Sequence, residues 1–286
     1  MKSLRSLVCG HRELNLSTCQ VMGVINLTPD SFSDGGTLFN QDEPDLDLVC
    51  RRVEEMISAG ATIIDLGAES TRPGATLIEP GVEIDRVAAA LTALVPRFDT
   101  VFSVDTSQAA LIRESARLGA GLINDVRALG KEGAVSAVAE TGVAVCLMHM
   151  QGEPATMQQQ PDYQDVVDEV MQSLAERAAV CTANGIDASK IVVDPGFGFG
   201  KSVEHNLRLI AHLEELTTLN YPVLLGVSRK STIGTVLDKP VDQRLAGGLA
   251  LTCLAVEKGA KIIRTHDVAA TLDVVRMTEA VLANRK

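Results

Sequence analysis

Tryptophan is missing from this chain, and aromatic residues make up only 3% of it. A core must therefore be built from Val, Ile, Leu and Ala, which the 46% apolar content of 286 residues supplies in quantity. The six cysteines, at 9, 19, 50, 146, 181 and 253, are scattered and form no Cys-x-x-Cys pair. No apolar run approaches the length of a membrane span, and Met1-Lys-Ser-Leu-Arg is not followed by a sustained apolar stretch of the kind a signal peptide has. Excess positive charge is absent too. A net charge of −11 argues against general affinity for nucleic acid, so an anionic substrate needs a local basic cluster. Nor does any Pro/Gly/Ser-rich linker divide the chain. These absences point to one domain over 1–286 in a reduced, cytoplasmic protein with no membrane or nucleic-acid partner, where the Asn-x-Ser/Thr matches at Asn15 and Asn26 carry no glycan.

What is present is a repeated alternation. Apolar, β-branched runs near 20–25, 61–66, 100–104, 121–124, 143–148, 190–194, 222–227 and 261–264 read as parallel strands covered on both faces. Helix-period segments follow them over 44–59, 80–95, 107–118, 132–141, 161–184, 203–216, 240–257 and 267–282. Gly60, Gly119, Gly142, Gly185 and Gly259 fall where helices end, as left-handed caps do. Eight such units predict an α/β fold, a single (β/α)8 TIM barrel with its active site at the C-terminal face of the strands. An open doubly wound sheet is the competing arrangement. The first 19 residues suit a short hairpin closing the barrel bottom. Two connections, 28–42 and 69–79, are long, follow strand C-terminal ends, and read as functional loops.

Each strand ends in polar chemistry. The first gives Asn26 and then a turn cluster with Asp30, Ser31, Ser33 and Asp34, which as composition alone is equally a solvated turn. The second gives Asp65 and then Glu69-Ser-Thr-Arg72-Pro-Gly. Arg72 there can clamp a phosphate or pair with Glu69, and Asp65 can be a structural acceptor. Strand three ends in Asp105, strand four in Asn124-Asp125 and strand six in Asp194. With Ser107 the better cap for the third helix, Asp105 is left to face the mouth. Carboxylates and an amide at one mouth suit a heterocycle whose edge alternates donors and acceptors, as an aminopyrimidinone's does.

Strand five ends in Met148-His149-Met150. A lone His without H-x-H or H-E-x-x-H is more often hydrogen-bonded than metal-bound, and the methionines can fill core or flank a flat ring. The run Asp194-Pro-Gly-Phe-Gly-Phe-Gly-Lys201-Ser imitates a P-loop, but Gly196 and Gly200 enclose three residues where that loop needs four. It reads instead as a tight turn offering Phe199 as an apolar wall. Arg229, Lys230, Arg264 and His266 bring basic groups to the last two strand ends, where barrel enzymes often bind phosphate. A Schiff base at Lys230 is the alternative use of an amine there.

These segments, together and in order, closely resemble the dihydropteroate synthases, the folate-pathway enzymes targeted by sulfonamides. The matching stretches are MGVINLTPDSFSDGG (22–36), IIDLGAESTRPG (63–74), SVDTS (103–107), INDVR (123–127), CLMHMQG (146–152), VDPGFGFGK (193–201), GVSRKS (226–231) and IIRTHDV (262–268). They fall at all eight strand ends. The resemblance implies condensation of 6-hydroxymethyl-7,8-dihydropterin diphosphate with 4-aminobenzoate, in a homodimer, with sulfonamides as competing ligands. By resemblance Asp105, Asn124, Asp194 and Lys230 bind the pterin, with Met148 in apolar contact. Asn26, Arg264 and His266 face the diphosphate, with Mg2+ near Asn26. Thr71, Arg72, Pro73, Phe199, Lys230 and Ser231 surround the aminobenzoate, beneath loops 27–37 and 69–75. Asp34 is the candidate loop carboxylate, and with Lys230 and Arg264 makes the candidate catalytic set. A methyltetrahydrofolate-dependent methyltransferase keeps the pterin-facing residues but needs neither a diphosphate site nor a closing STRPG loop. A silent pterin-binding paralogue is expected to lose loop or anion-site residues that this chain retains.

Overall fold

A computed structural model describes residues 5–28, 38–40, 43–69, 79–153, 156–159 and 161–285. Eight strands form one parallel sheet: β1 (Gln20–Asn26), β2 (Ile63–Gly67), β3 (Val101–Asp105), β4 (Leu122–Asp125), β5 (Ala144–Met148), β6 (Ile191–Asp194), β7 (Leu224–Gly226) and β8 (Ile262–Thr265). Their order is β6-β5-β4-β3-β2-β1-β8-β7. The two ends meet through a single parallel bridge, Val193 to Val223, with Val193 N donating to Pro222 O at 2.9 Å. The sheet is thus a barrel with one thin seam, between β6 and β7.

Around it run α1 (Leu46–Ser58), α2 (Pro80–Leu94), α3 (Ala109–Arg117), α4 (Ala134–Thr141), α5 (Val166–Ala183), α6 (Val203–Ala211), α7 (Leu213–Leu216), α8 (Ser231–Leu237), α9 (Leu245–Glu257) and α10 (Val268–Ala283). Local chemistry fixes several starts. Asp45 accepts from Asp47 N and Leu48 N at the head of α1, and Ser202 with His205 forms a capping box on α6. All five glycines expected to end helices have positive φ. The expected 203–216 helix is interrupted at His212, and α8 was not expected at all. Its Thr-Ile-Gly-Thr-Val run has poor intrinsic helix preference, so its helicity comes from tertiary packing. Ser107 does not cap α3; its hydroxyl donates to Asp125, and Gln108 holds the cap position without a side-chain bond. No helix among the described residues is long and apolar enough to cross a membrane.

Strand side chains alternate between two environments, as the period of two requires. Ile64, Leu66, Phe102, Ile123, Leu147 and Ile263 pack outward into the apolar layer under the helices. Met22, Ile63, Val101, Leu122, Val192 and Ile262 point the other way and fill the barrel with Leu7, Leu14 and Leu16 of an N-terminal hairpin, Ser6–Cys9 against Arg12–Asn15. Each fully buried aliphatic side chain contributes about 1.5–3 kcal/mol relative to exposure. The hairpin closes the bottom as expected. A Cβ on Gly121 would lie 2.7 Å from Cys9 O, so a glycine before β4 is what admits it. Above this apolar filling, several of the inward positions are polar.

Candidate active site

The upper layer is formed by the same alternation. Asp65, two residues above Ile63, points inward, as do Asp105, Asn124, Asp194 and Arg264 near their strand ends. Adjacent-strand register aligns Gly67, Asp105, Asn124 and Cys146 in one row, and Asp194 with Met148. Arg264 ties this layer together. Its Nε donates to Asp65 Oδ2 at 2.7 Å and its Nη2 to Asp105 Oδ2 at 3.2 Å, while Asn124 Nδ2 reaches the same Asp65 oxygen at 3.1 Å. Burial holds the Asp105 carboxyl up at about 8. Arg264 opposes this, and the like charges of Asp65, Asp125 and Glu69 reinforce it. Burial also raises Asp194, against the attraction of Lys230 and a 2.7 Å bond from Gly196 N.

The turn after β6 is braced from three sides. Gly196 has φ 68°, and a Cβ there would run into the His149 carbonyl oxygen. Gly198 N donates to Asn206 Oδ1 at 2.7 Å, and Tyr163 OH to Gly200 O at 2.9 Å. Lys201, 3% exposed, turns back beneath the turn. Its Nζ donates to Phe199 O at 3.0 Å and His149 O at 3.4 Å and lies 2.9 Å from His149 Nδ1. Burial lowers Lys201 to about 7 and His149 to about 3, so the neutral imidazole accepts from the lysine. His149 is thus a brace within the turn, the hydrogen-bonded use expected of it. Among the described residues, no group of three or more His, Cys, Asp or Glu is placed to hold a metal.

Lys230 is the N-cap of α8, at the end of the turn that follows β7. Its ammonium bonds the Phe197 carbonyl across the seam and stands 4.6 Å from the centroid of the Phe199 ring, so the ring expected as an apolar wall flanks this ammonium. Burial lowers Lys230 to about 8, with Asp194 and Asp105 pulling the other way and Arg264 adding to the fall. Ser231 is exposed at the start of α8, and Met148 is buried at the end of β5. His266 Nδ1 lies 3.0 Å from Ser228 Oγ. Asn26, half-buried, ends β1 opposite Gly67.

Arg229 departs from the basic cluster expected at strands seven and eight. It has φ 60° and pairs with Asp267, Nη2 to Oδ1 at 2.7 Å. Asp125 lies outside the mouth group as well: it accepts from Ser107 Oγ, Arg127 N and Leu129 N, and so shapes the loop after β4. Glu69, offered above as a partner for Arg72, pairs with Arg127 at 3.3 Å. Asp34, Thr71, Arg72 and Pro73 lie outside the described residues. Lys201 and Arg127 were missed as site-shaping groups. Each ends a family-matching stretch, VDPGFGFGK or INDVR, but neither stretch names a contact, and the partner of Arg127 is 58 positions away.

The mouth thus gathers three acceptor-bearing side chains, one amine of lowered basicity and one guanidinium, with an aromatic wall at the side. It is built to hold a flat, nitrogen-rich ring by its edge. Comparison with known proteins agrees. Residues 22–266 match the family of pterin binding enzymes. The chain is 48% identical to the dihydropteroate synthase of Haemophilus influenzae, covering 96% of this chain and 98% of that one. Among solved structures, the Yersinia pestis dihydropteroate synthase with a sulfonamide drug complex superposes with a TM-score of 0.93 at 47% identity, covering 97% of this chain and 99% of that one. The Xanthomonas albilineans dihydropteroate synthase in complex with 7,8-dihydropteroate gives a TM-score of 0.86 at 40% identity, covering 97% and 99%.

Proposed function

The chain belongs to the pterin-binding dihydropteroate synthase family, and we propose on that premise that it joins 6-hydroxymethyl-7,8-dihydropterin diphosphate to 4-aminobenzoate, releasing diphosphate and 7,8-dihydropteroate. The observation that carries this reading is the convergence of Asp105, Asn124 and Asp194, from three strand ends, and Lys230, from the turn after a fourth strand, on one barrel mouth. A ring with N–H and amino donors on one edge and a carbonyl on another is complementary to that set. Asp194 has one oxygen engaged by Gly196 N and the other left for the ring. Lys230 meets acceptors with its ammonium, and Met148 and Phe199 supply apolar contact.

Diphosphate departs from a methylene on an electron-rich ring, so that carbon gains cationic character as the bond to oxygen lengthens. The 4-aminobenzoate nitrogen then forms the new C–N bond, and its proton becomes acidic only after attack. No strong base is needed; positioning and stabilisation of the departing anion dominate. Arg264 has two of its nitrogens committed to Asp65 and Asp105, which fixes the plane in which Nη1 meets an anion. His266, whose Nδ1 lies beside Ser228 Oγ, is assigned to the same task on the strength of the family motif.

Asn26 ends β1 at the barrel mouth, and an amide oxygen is a ligand type that fits Mg2+. That ion keeps most of its coordination for water and phosphate oxygens rather than for a protein cage. When bound there, Mg2+ supplies positive charge to the leaving diphosphate. Asp34, Thr71, Arg72, Pro73 and Ser231 are assigned to loop closure and the aminobenzoate on the strength of the family motif.

Coupled measurement of diphosphate release tests the reading. Release is expected only with both substrates and Mg2+, with sulfonamide competing against aminobenzoate. Release no greater than with one substrate alone would reject it. Two further assignments go with it. A second copy docks through α9 and α10, which expose Leu245, Leu254, Met277 and Val281; sedimentation at monomer mass would reject that. The six unbridged cysteines suit the reducing cytoplasm, and cell fractionation checks it.

A further inference from the structure

Asp65 lies in the middle of β2 and is 0% exposed. Its register neighbours, Val24 and Ser103, offer no charge. The groups that reach it come from farther round the barrel, Arg264 Nε from β8 and Asn124 Nδ2 from β4, and both use the same oxygen, Oδ2. Oδ1 has no partner among the described residues. A carboxylate paired with arginine accepts hydrogen bonds and donates none. The end of the Asn124 side chain facing Asp65 must therefore be its nitrogen. An asparagine amide is nearly symmetric in shape, so its orientation is decided by such a partner and by nothing steric.

We propose that Asp65 is a positioning residue that sets the polarity of Asn124, holding Nδ2 to itself so that the amide oxygen is the end offered to the ligand. The inference rests on the pterin reading of the mouth. It makes Asn124 an acceptor, alongside the acceptor oxygens of Asp105 and Asp194, so this side of the site selects a ring edge of N–H and amino groups. A ring carrying a carbonyl at that place meets oxygen and is refused. Because one oxygen also fixes Arg264, recognition of the ring and orientation of the guanidinium share a single buried anchor.

Wild-type turnover with both substrates tests the pterin reading by itself and is scored first; the variants then test Asp65 alone. Asp65→Asn keeps the shape but presents either an acceptor or a donor, so Asn124 loses its fixed sense. The KM for the pterin diphosphate is expected to rise about tenfold, with the KM for 4-aminobenzoate unchanged within about twofold. Asp65→Leu removes the acceptor altogether and is expected to raise the pterin KM about 10²-fold. Titration calorimetry with 6-hydroxymethylpterin then follows the cycle with Asn124→Ala. In that background the effect of either Asp65 variant is expected to disappear. If Asp65→Leu does not fold, Asp65→Asn carries the cycle. An unchanged pterin KM, a parallel rise in both KM values, or an undiminished effect in the Asn124→Ala background overturns the proposal.

Discussion

The ammonium of Lys230 bonds the carbonyl of Phe197 and stands 4.6 Å from the centroid of the Phe199 ring. Its neighbours are a backbone oxygen and a π-face rather than a touching carboxylate. Asp194 acts on it only at longer range, which leaves burial free to lower its basicity to about 8. A cation with no touching carboxylate is available to a ring that brings its own acceptor.

Replacing Lys230 with Met keeps approximate length and removes the charge. The expected result is a loss of about 10²-fold or more in kcat/KM, from a missing charged hydrogen bond and a misplaced ring. Circular dichroism should remain that of the wild type, since no ion pair within the fold is broken. Near-normal turnover would remove Lys230 from the site.

Asp105 gives a prediction whose sign depends on pH. Its folded-state value, about 8, lies above the ordinary 3.8, so the folded form holds the proton more tightly. The associated stability is fully present below about pH 3.8 and is lost as pH rises through 8. Asp105→Asn is neutral at every pH and escapes that loss. Urea midpoints are expected to shift in favour of the variant between pH 5 and pH 9, while its turnover falls (about tenfold or more). A difference in midpoint that does not vary with pH would contradict the account.

Lys201 touches no substrate in this reading and acts by bracing the turn that carries Phe199. Lys201→Met leaves the Phe199 and His149 carbonyls without their donor, at a cost of about 1–3 kcal/mol. Both a lower thermal midpoint and a higher pterin KM are expected. Full stability with unchanged KM would show the brace to be idle.

Arg127 holds Glu69, the last described residue before the 70–78 segment that contains Thr71, Arg72 and Pro73. Arg127→Met is therefore expected to raise the KM for 4-aminobenzoate, about tenfold, and to leave that for the pterin near its original value. The opposite split would mean that the pair serves the ring pocket instead.

Much of this architecture is legible in the amino-acid sequence. The eight strand ends followed from apolar runs stopped by Asn, Asp, His or Arg, and the hairpin plug from the 19 residues left before the first run. Asp105, Asn124 and Asp194 were legible because each sits at a strand end, where position along the strand fixes height in the barrel, whereas Lys230, in the turn beyond β7, was marked by its motif. What those residues do to one another was not legible. Asp65 and Arg264 are 199 positions apart, and nothing local says that one oxygen will serve both Arg264 and Asn124. Arg229 and Lys230 are adjacent in sequence, yet only Lys230 reaches the Phe197 carbonyl. The left-handed turn at Arg229 sends its side chain to Asp267, and a φ of 60° on an arginine has no sequence signature.

The seam gives Lys230 a second consequence. Where β6 meets β7 the barrel has one backbone bridge, and the lysine that follows β7 reaches over to a carbonyl that follows β6. The same ammonium therefore works as a rivet across the joint in the wall. A ring that draws this ammonium toward itself loosens the rivet while filling the mouth, so occupancy of the pocket and closure of the hoop compete for one positive charge.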